Sequence, residues 1–327
     1  MALPSDDVDA WKLRPIRLRY RLGSVTLFRL PLMFAVYDRH FSRIEGAAGA
    51  LVPPFDRWGP EVKGALVMSH PVTEPLPRVQ LAADLIRYVP RTIERHFLEL
   101  GGTFDAYLAK FSSKTRSTLK KKVRKLAERS GGTIDWREYK KRDEAREFHR
   151  LARVVAAKTY QEHLLDAALP ADEAFVRELE EELGHASARG WILFLDGAPI
   201  AYLYSPIREG AVIYEHLGYD PAQRELSPGT VLQYLVLERL FAEGGFSVFD
   251  FTEGGGQHKE MFATGKVEVA DLYFFRRSLA SAGIVGAHLA AAELTRTAIT
   301  TLDRLQARDK LRRWLRRGGL GAGGAGG

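Results

Sequence analysis

The 327-residue chain contains no cysteine. That absence removes disulfides, thiol nucleophiles and thiolate metal sites together. No run of eighteen or more apolar residues occurs, so no membrane-spanning helix is expected. The opening MALPSDDVDAWKLRP places acids ahead of its first bases and lacks an apolar stretch. It does not read as a secretory leader, and the expected location is cytoplasmic. The nine histidines fall at no metal-ligand spacing, and GxSxG, HExxH and Walker patterns are missing, so no metal is expected.

What is present is the composition of a soluble globular protein, 46% hydrophobic and 27% charged, with length for one large domain or two ordinary ones. The net charge of +7 is unevenly spread. Eight bases and one acid, Glu128, lie between Lys114 and Arg129, and ten bases face three acids from Arg276 to Arg317. Such clusters suit an anionic partner: phosphate, nucleic acid or a lipid surface.

Residues 1–102 alternate short apolar runs with proline and glycine, the clearest being Val25–Leu30, Ala65–Ser69 and Asp84–Val89. Over 103–130 the apolar residues Leu108, Phe111, Leu119, Val123 and Leu126 recur at helical spacing, predicting one long helix. It reads either as a connecting helix with a solvated basic face or as a surface that attracts a polyanion. From 131 to 277 the predicted order is β–α–α–β–β–β–α–β–α–β. It includes a hairpin at Asp196-Gly197, a third strand over Ala211–Tyr219, and a helix opened by Ser227-Pro228-Gly229-Thr230. Residues 278–327 read as a basic helix, packed or amphipathic, with a glycine-rich end.

This order, and the segment YEHLGYDPAQRELSPGTVLQYLVLERLFAEGGFSVFDFTEGGGQHKEMFATG, resemble the GNAT superfamily of N-acyltransferases. Within it the segment is similar to the CelD-like proteins of cellulose biosynthesis and to the Fem peptidyltransferases. The helix FDAYLAKFSSKTRSTLKKKVRKLAER looks like the corresponding helix of those families. The resemblance covers about Thr103–Phe275 and implies an α/β (α+β) GNAT fold. In it a central mixed, mostly antiparallel sheet is flanked by helices and preceded by a degenerate GNAT-like lobe. It also implies acyl-CoA (acetyl-CoA) as co-substrate and an amine acceptor, with a role in polysaccharide or cell-envelope biosynthesis.

A GNAT fold binds the donor's pyrophosphate where a helix N-terminus offers unpaired N–H groups and a positive dipole end. Here that helix opens at Ser227, with proline tolerated in the first turn and glycine allowing close approach. Arg224, Ser227, Pro228, Gly229 and Thr230 are therefore the candidate donor-binding residues, with a plain helix cap as the alternative. The usual Arg/Gln-x-x-Gly-x-Gly/Ala loop is absent. That departure opens a second reading, an aminoacyl-tRNA donor as in the Fem relatives.

Transfer to an amine needs a base and donors for the tetrahedral oxyanion. Glu215 and His216 lie on the third strand, where alternation lets only one face the cleft. Asp250, Glu253 and Lys259 follow from the acid–lysine feature of the resembled families, and a fold-stabilising ion pair is their alternative role. Tyr273 is a candidate acid for the leaving group, or a core tyrosine. His258, beside Lys259, falls in the same stretch. A third reading is a non-catalytic GNAT-like module that holds tRNA or an anionic membrane surface, at the inner membrane face, through the 114–129 helix and the tail. Oligomeric state is not legible.

Overall fold

The structure, a computed structural model, describes residues 10–22, 25–46, 51–82, 84–159, 169–253 and 257–297. The chain divides into two compact units. The first holds residues up to Asp38, Glu45–Thr92 and those from Ala270 onward; the second holds Arg39–Ile44 and Ile93–Val269. The divisions expected from the sequence fall after residues 102, 130 and 277. The chain re-enters each unit, and single-sequence patterning does not register such a return.

In the first unit β1 (Trp11–Leu22) and β2 (Val25–Tyr37) form a long antiparallel ribbon with Arg17 opposite Pro31 and Arg19 opposite Arg29. β2 runs parallel to β3 (Gly64–Pro71). β4 (Val79–Leu81) and β5 (Leu85–Tyr88) pair antiparallel, and β5 pairs with the later part of β13 (Gly265–Arg276). Leu18, Tyr20, Phe34, Val36, Leu66, Ile86, Tyr88 and Phe275 form its core. A helix over 279–297 adds Ile284, Val285 and Leu289 to that cluster. The described part of the C-terminal segment is thus a packed helix, one of its two expected forms. Residues 298–327, the rest of the basic tail, lie outside the described residues.

The second unit carries β6 (Thr92–Glu99), β7 (Trp136–Tyr139), β8 (Ala188–Leu195), β9 (Ala198–Arg208), β10 (Ala211–Ile213), β11 (His216–Tyr219) and β12 (Val248–Glu253). Their order is β6-β12-β10-β9-β8-β7, with β11 also on β9. β10 and β12 run parallel, while β6–β12, β9–β10, β9–β11, β8–β9 and β7–β8 are antiparallel. All eight residues of β8 are buried, as befits a strand covered on both faces. One face is covered by α1 (Phe104–Ala109), α2 (Ser113–Arg129) and α5 (Pro228–Glu243), packing around Trp191, Leu203, Leu232 and Phe249. The other is covered by α3 (Ala145–Ala156) and α4 (Glu173–Gly184), packing around Phe148, Ile192 and Tyr204.

Two expectations change. The single helix over 103–130 is two, because Ser112 accepts a hydrogen bond from the Thr115 N–H and starts a fresh helix after Ala109. A serine cap satisfies an otherwise orphaned donor, and apolar spacing alone does not reveal it. The third strand, expected over Ala211–Tyr219, breaks at Tyr214-Glu215. The Asp196-Gly197 hairpin forms as expected, both residues at positive φ (51° and 77°), as a type I′ turn demands.

Candidate active site

β10 follows β12 in parallel from Ala211/Val248 to Ile213/Asp250. Beyond that point the Tyr214 N–H still donates to the Asp250 carbonyl at 2.8 Å, but the Glu215 N–H turns to the Tyr204 carbonyl. β11 then pairs with β9, His216 opposite Tyr204 and Tyr219 opposite Ala201. The two parallel strands part, and a cavity of about 680 Å³ opens beside the break. Tyr214, Leu217, Gly218 and Tyr219 line its strand side, and Arg224, Ser227, Pro228, Gly229 and Thr230 line its helix side. The structure thus brings all five candidate donor-binding residues to one cavity.

The local reasons are visible in the chain. Asp220 caps a 3-10 turn over Pro221–Leu226, its side chain accepting from the Ala222 N–H, and Lys158 holds the other carboxylate oxygen at 2.8 Å. Ser227 then adopts a left-handed conformation (φ 52°, ψ 48°) and makes no side-chain cap. Its carbonyl accepts the first helical bond, from Val231 at 3.0 Å. Pro228 has no N–H, so the Gly229 and Thr230 N–H groups precede the first intrahelical bond at the cavity wall. A β-carbon on Gly229 would stand 3.3 Å from Leu217 and 3.4 Å from Tyr219. The glycine therefore lets the helix start lie directly against β11.

Arg224 is also part of a second cavity of about 520 Å³, shared with Lys125, Arg129 and the Pro221–Leu226 turn. Lys125 reaches the Glu225 carbonyl at 3.1 Å, and Arg129 pairs with Asp196 at 2.8 Å.

The candidate transfer residues are more scattered. Glu215 sits at the strand break, next to Tyr214. Packing around its carboxyl, then the negative charges of Glu182 and Glu178, push it up, while Arg208 opposes them; the side chain keeps 46% exposure. His216 lies on the sheet face covered by α3 and α4, stacked on Tyr204 and edge-on to Phe175. Neither is among the cavity-lining residues.

Asp250 is completely buried. Its carboxylate accepts from Arg95 Nε at 2.9 Å and Arg95 Nη2 at 2.5 Å, from His40 Nε2 at 3.1 Å and from the Thr252 N–H at 2.8 Å. His40 Nδ1 accepts from the Ser42 N–H, which leaves the proton on Nε2 for Asp250. Burial works to raise the Asp250 carboxyl, but the hydrogen bonds from His40 and Arg95 outweigh it and hold the group below its ordinary value.

Lys259 donates to the Thr252 hydroxyl at 3.3 Å and the Glu253 carbonyl at 2.8 Å, and it lies 5.7 Å from the centre of the Tyr214 ring. The strong cationic partner of Asp250 is Arg95, where the sequence pointed to Lys259. Burial lowers the Lys259 ammonium. Glu253 ends β12 exposed; Gly254–Gly256 and the His258 side chain lie outside the described residues. Tyr273 belongs to the first unit, packed against Phe34 and Tyr88, with its phenol pushed up to about 12 by burial. It is not among the residues gathered at the cavity.

Sequence reasoning missed Tyr214, Gly218 and Tyr219 on the cavity wall, and Arg95 and His40 at Asp250. Tyr214 carries a signal in hindsight, since it precedes Glu215 at the strand end. Arg95 and His40 carry none, lying 155 and 210 residues from their partner.

Helices on both faces of a mixed sheet, with two parallel strands parting over a helix start, define a GNAT-like α+β fold. Residues 113–260 match the family model described as "Acetyltransferase (GNAT) domain". Among solved structures, FemX matches with a TM-score of 0.50 at 11% identity, over 83% of this chain and 89% of that one. The C-terminal domain of a putative lysylphosphatidylglycerol synthetase from Agrobacterium fabrum matches at 0.46 and 12%, over 72% of each chain. A conserved protein of unknown function from Bacteroides thetaiotaomicron matches at 0.40 and 12%, over 60% of this chain and 64% of that one, so this chain spans less than two thirds of it. No curated protein matches the sequence. Among the described residues no helix is long and apolar enough to cross a membrane.

Proposed function

We propose that the second unit is an N-acyltransferase that moves an acyl group from acyl-CoA, acetyl-CoA included, to an amine. The observation that carries this reading is the cavity at the parted strands, walled by Arg224 and by the open helix start at Gly229-Thr230. Free N–H groups, a helix dipole and one guanidinium together favour a pyrophosphate there. The donor's acyl end then runs toward the break at Tyr214-Glu215, where backbone hydrogen bonding changes partner. Tyr214, its phenol held well above the usual range by burial, stays protonated and serves as a hydrogen-bond donor. Glu215, its carboxyl raised by burial and by the charges of Glu182 and Glu178, is the base that takes the amine proton. The acyl carbon–sulfur bond breaks as the nitrogen–carbon bond forms, and the thiolate leaves with the CoA. We place this reaction in the cytoplasm and, by resemblance, in polysaccharide or envelope biosynthesis.

The test is calorimetric titration with acetyl-CoA and longer acyl-CoAs. Saturable binding is expected, weakened at least about tenfold by Thr230→Glu, which sets a carboxylate against the pyrophosphate. Wild-type protein that binds none of these donors removes the acyl-CoA reading.

One observation favours a second donor. The one-glycine turn leads into the cavity lined by Lys125, Arg129 and Arg224, beside a helix with many exposed bases. An aminoacyl-tRNA would engage that surface as a Fem-type donor. Its binding would fall steeply with salt, as release of counterions from many phosphates requires, whereas acyl-CoA binding would fall only modestly.

A further inference from the structure

The β1–β2 ribbon of the first unit has one covered face and one that is open toward the hairpin, although Ala35 and Tyr37 at its other end are buried. Ile16, Leu18 and Tyr20 on β1, with Leu30, Leu32 and Phe34 on β2, pack into the core beneath the 279–297 helix. Alternation sends the odd-numbered residues the other way as far as the bulge, where Leu27 is the residue skipped between the Tyr20–Phe28 and Arg21–Thr26 pairs. On that outward face Arg17 stands across from Pro31, Arg19 from Arg29 and Pro15 from Met33. Arg17, Arg19, Arg21 and Arg29 are all exposed. Among the described residues no acid pairs with any of the four guanidinium groups, whereas Lys12 and Arg14 on the same strand share Asp38. Interleaved with them are exposed aliphatic side chains: Leu13 (53%), Leu27 (58%) and Met33 (37%). At the hairpin end Phe28 stacks on Tyr20 and remains 52% exposed.

Each half of this pattern points to the same occupant. Arginines with no acid partner among the described residues call for a negative surface, worth most where many anions lie within a Debye length. Exposed leucine and methionine between them call for an apolar phase just behind the charges. A second copy of the ribbon would set arginine against arginine. A nucleic acid offers the charge but gives the aliphatic side chains no apolar phase to enter. We propose that this outward face docks on an anionic phospholipid bilayer, the guanidinium groups at the headgroup phosphates and Leu27 and Met33 at the acyl boundary.

The test is co-sedimentation of the full chain with vesicles of phosphatidylcholine alone and of phosphatidylcholine mixed with phosphatidylglycerol. The wild type is expected to partition onto the mixed vesicles only. The triple variant Arg17→Glu, Arg19→Glu, Arg29→Glu should lose on the order of 100-fold or more of that partitioning. Leu27→Ser with Met33→Ser, which leaves the charge intact, should lose about tenfold. If the triple variant does not fold, the cysteine-free chain allows a clean readout. Leu27→Cys carrying an environment-sensitive dye should shift to the blue on mixed vesicles, and a dye on the exposed loop residue Glu74→Cys should not. Unaltered vesicle binding by the triple variant would overturn the proposal, assigning binding to another basic segment. So would an unshifted dye at position 27, and so would loss of RNA binding by the variants when vesicles are never bound.

Discussion

Asp250 is an aspartate at a strand end, in the place where a reading of the sequence expects acid–base work, yet its oxygens are occupied by Arg95, His40 and the Thr252 N–H. A buried carboxylate so engaged anchors the segments that carry its partners. Asp250→Ala removes the carboxylate that Arg95, itself only 14% exposed, and His40 both hold. The expected cost is about 3–5 kcal/mol of unfolding free energy, measured by denaturant titration. The pH dependence has a definite sign. The folded carboxyl lies below its unfolded value near 3.9, so its contribution is full above that value and fades as pH falls through the folded one. Wild-type stability should therefore drop more steeply below about pH 4 than that of Asp250→Asn. Glu215 behaves oppositely, its carboxyl being raised. The acid limb of kcat/KM should lie above the ordinary carboxylate range and vanish in Glu215→Gln; an unchanged limb would remove Glu215 from the role of base. Asp250 itself was legible as a strand-end acid. Its partners were not, because only the fold brings Arg95 and His40 to it.

At the scale of elements, local chemistry was legible where one residue type is obligatory. Asp196-Gly197 announced its turn and Pro228-Gly229 its helix start, because φ and the missing N–H leave few alternatives. The break between β10 and β11 was not legible. Its cause is a change of backbone partner from β12 to β9, while Ile213, Tyr214 and Leu217 all suit a strand. The helix start also sets the fit of the cavity beside the strand break. Gly229 has no room for even one extra methyl without movement of Leu217 or Tyr219. Gly229→Val should push α5 away from β11, costing about 1–3 kcal/mol of stability. It should also weaken acyl-CoA binding by more than Thr230→Ala, which removes only a hydroxyl. Calorimetry on both variants checks the order; equal losses would mean that the helix position is not what sets affinity.

Across the whole molecule the net charge of +7 does not form one patch with one partner. Sequence made the 114–129 cluster conspicuous because its bases are contiguous. It hid the arginines of the ribbon, which alternate with inward-facing Leu18 and Tyr20 and gather only when β1 pairs with β2. In the folded protein the helix cluster belongs to the second unit and the ribbon to the first. If the donor cavity and the lipid-docking face are separate devices, their variants must act independently, because substitutions without shared contacts add. Thr230→Glu should weaken acyl-CoA binding and leave vesicle partitioning unchanged. The triple ribbon reversal should do the reverse, and the combined variant should show both losses at their single-variant sizes, within about twofold. A soluble amine acceptor should then be acylated at the same rate by wild type and ribbon variant, while an acceptor embedded in an anionic bilayer should be acylated more slowly by the variant. Equal rates on both acceptors would detach membrane docking from the transfer reaction.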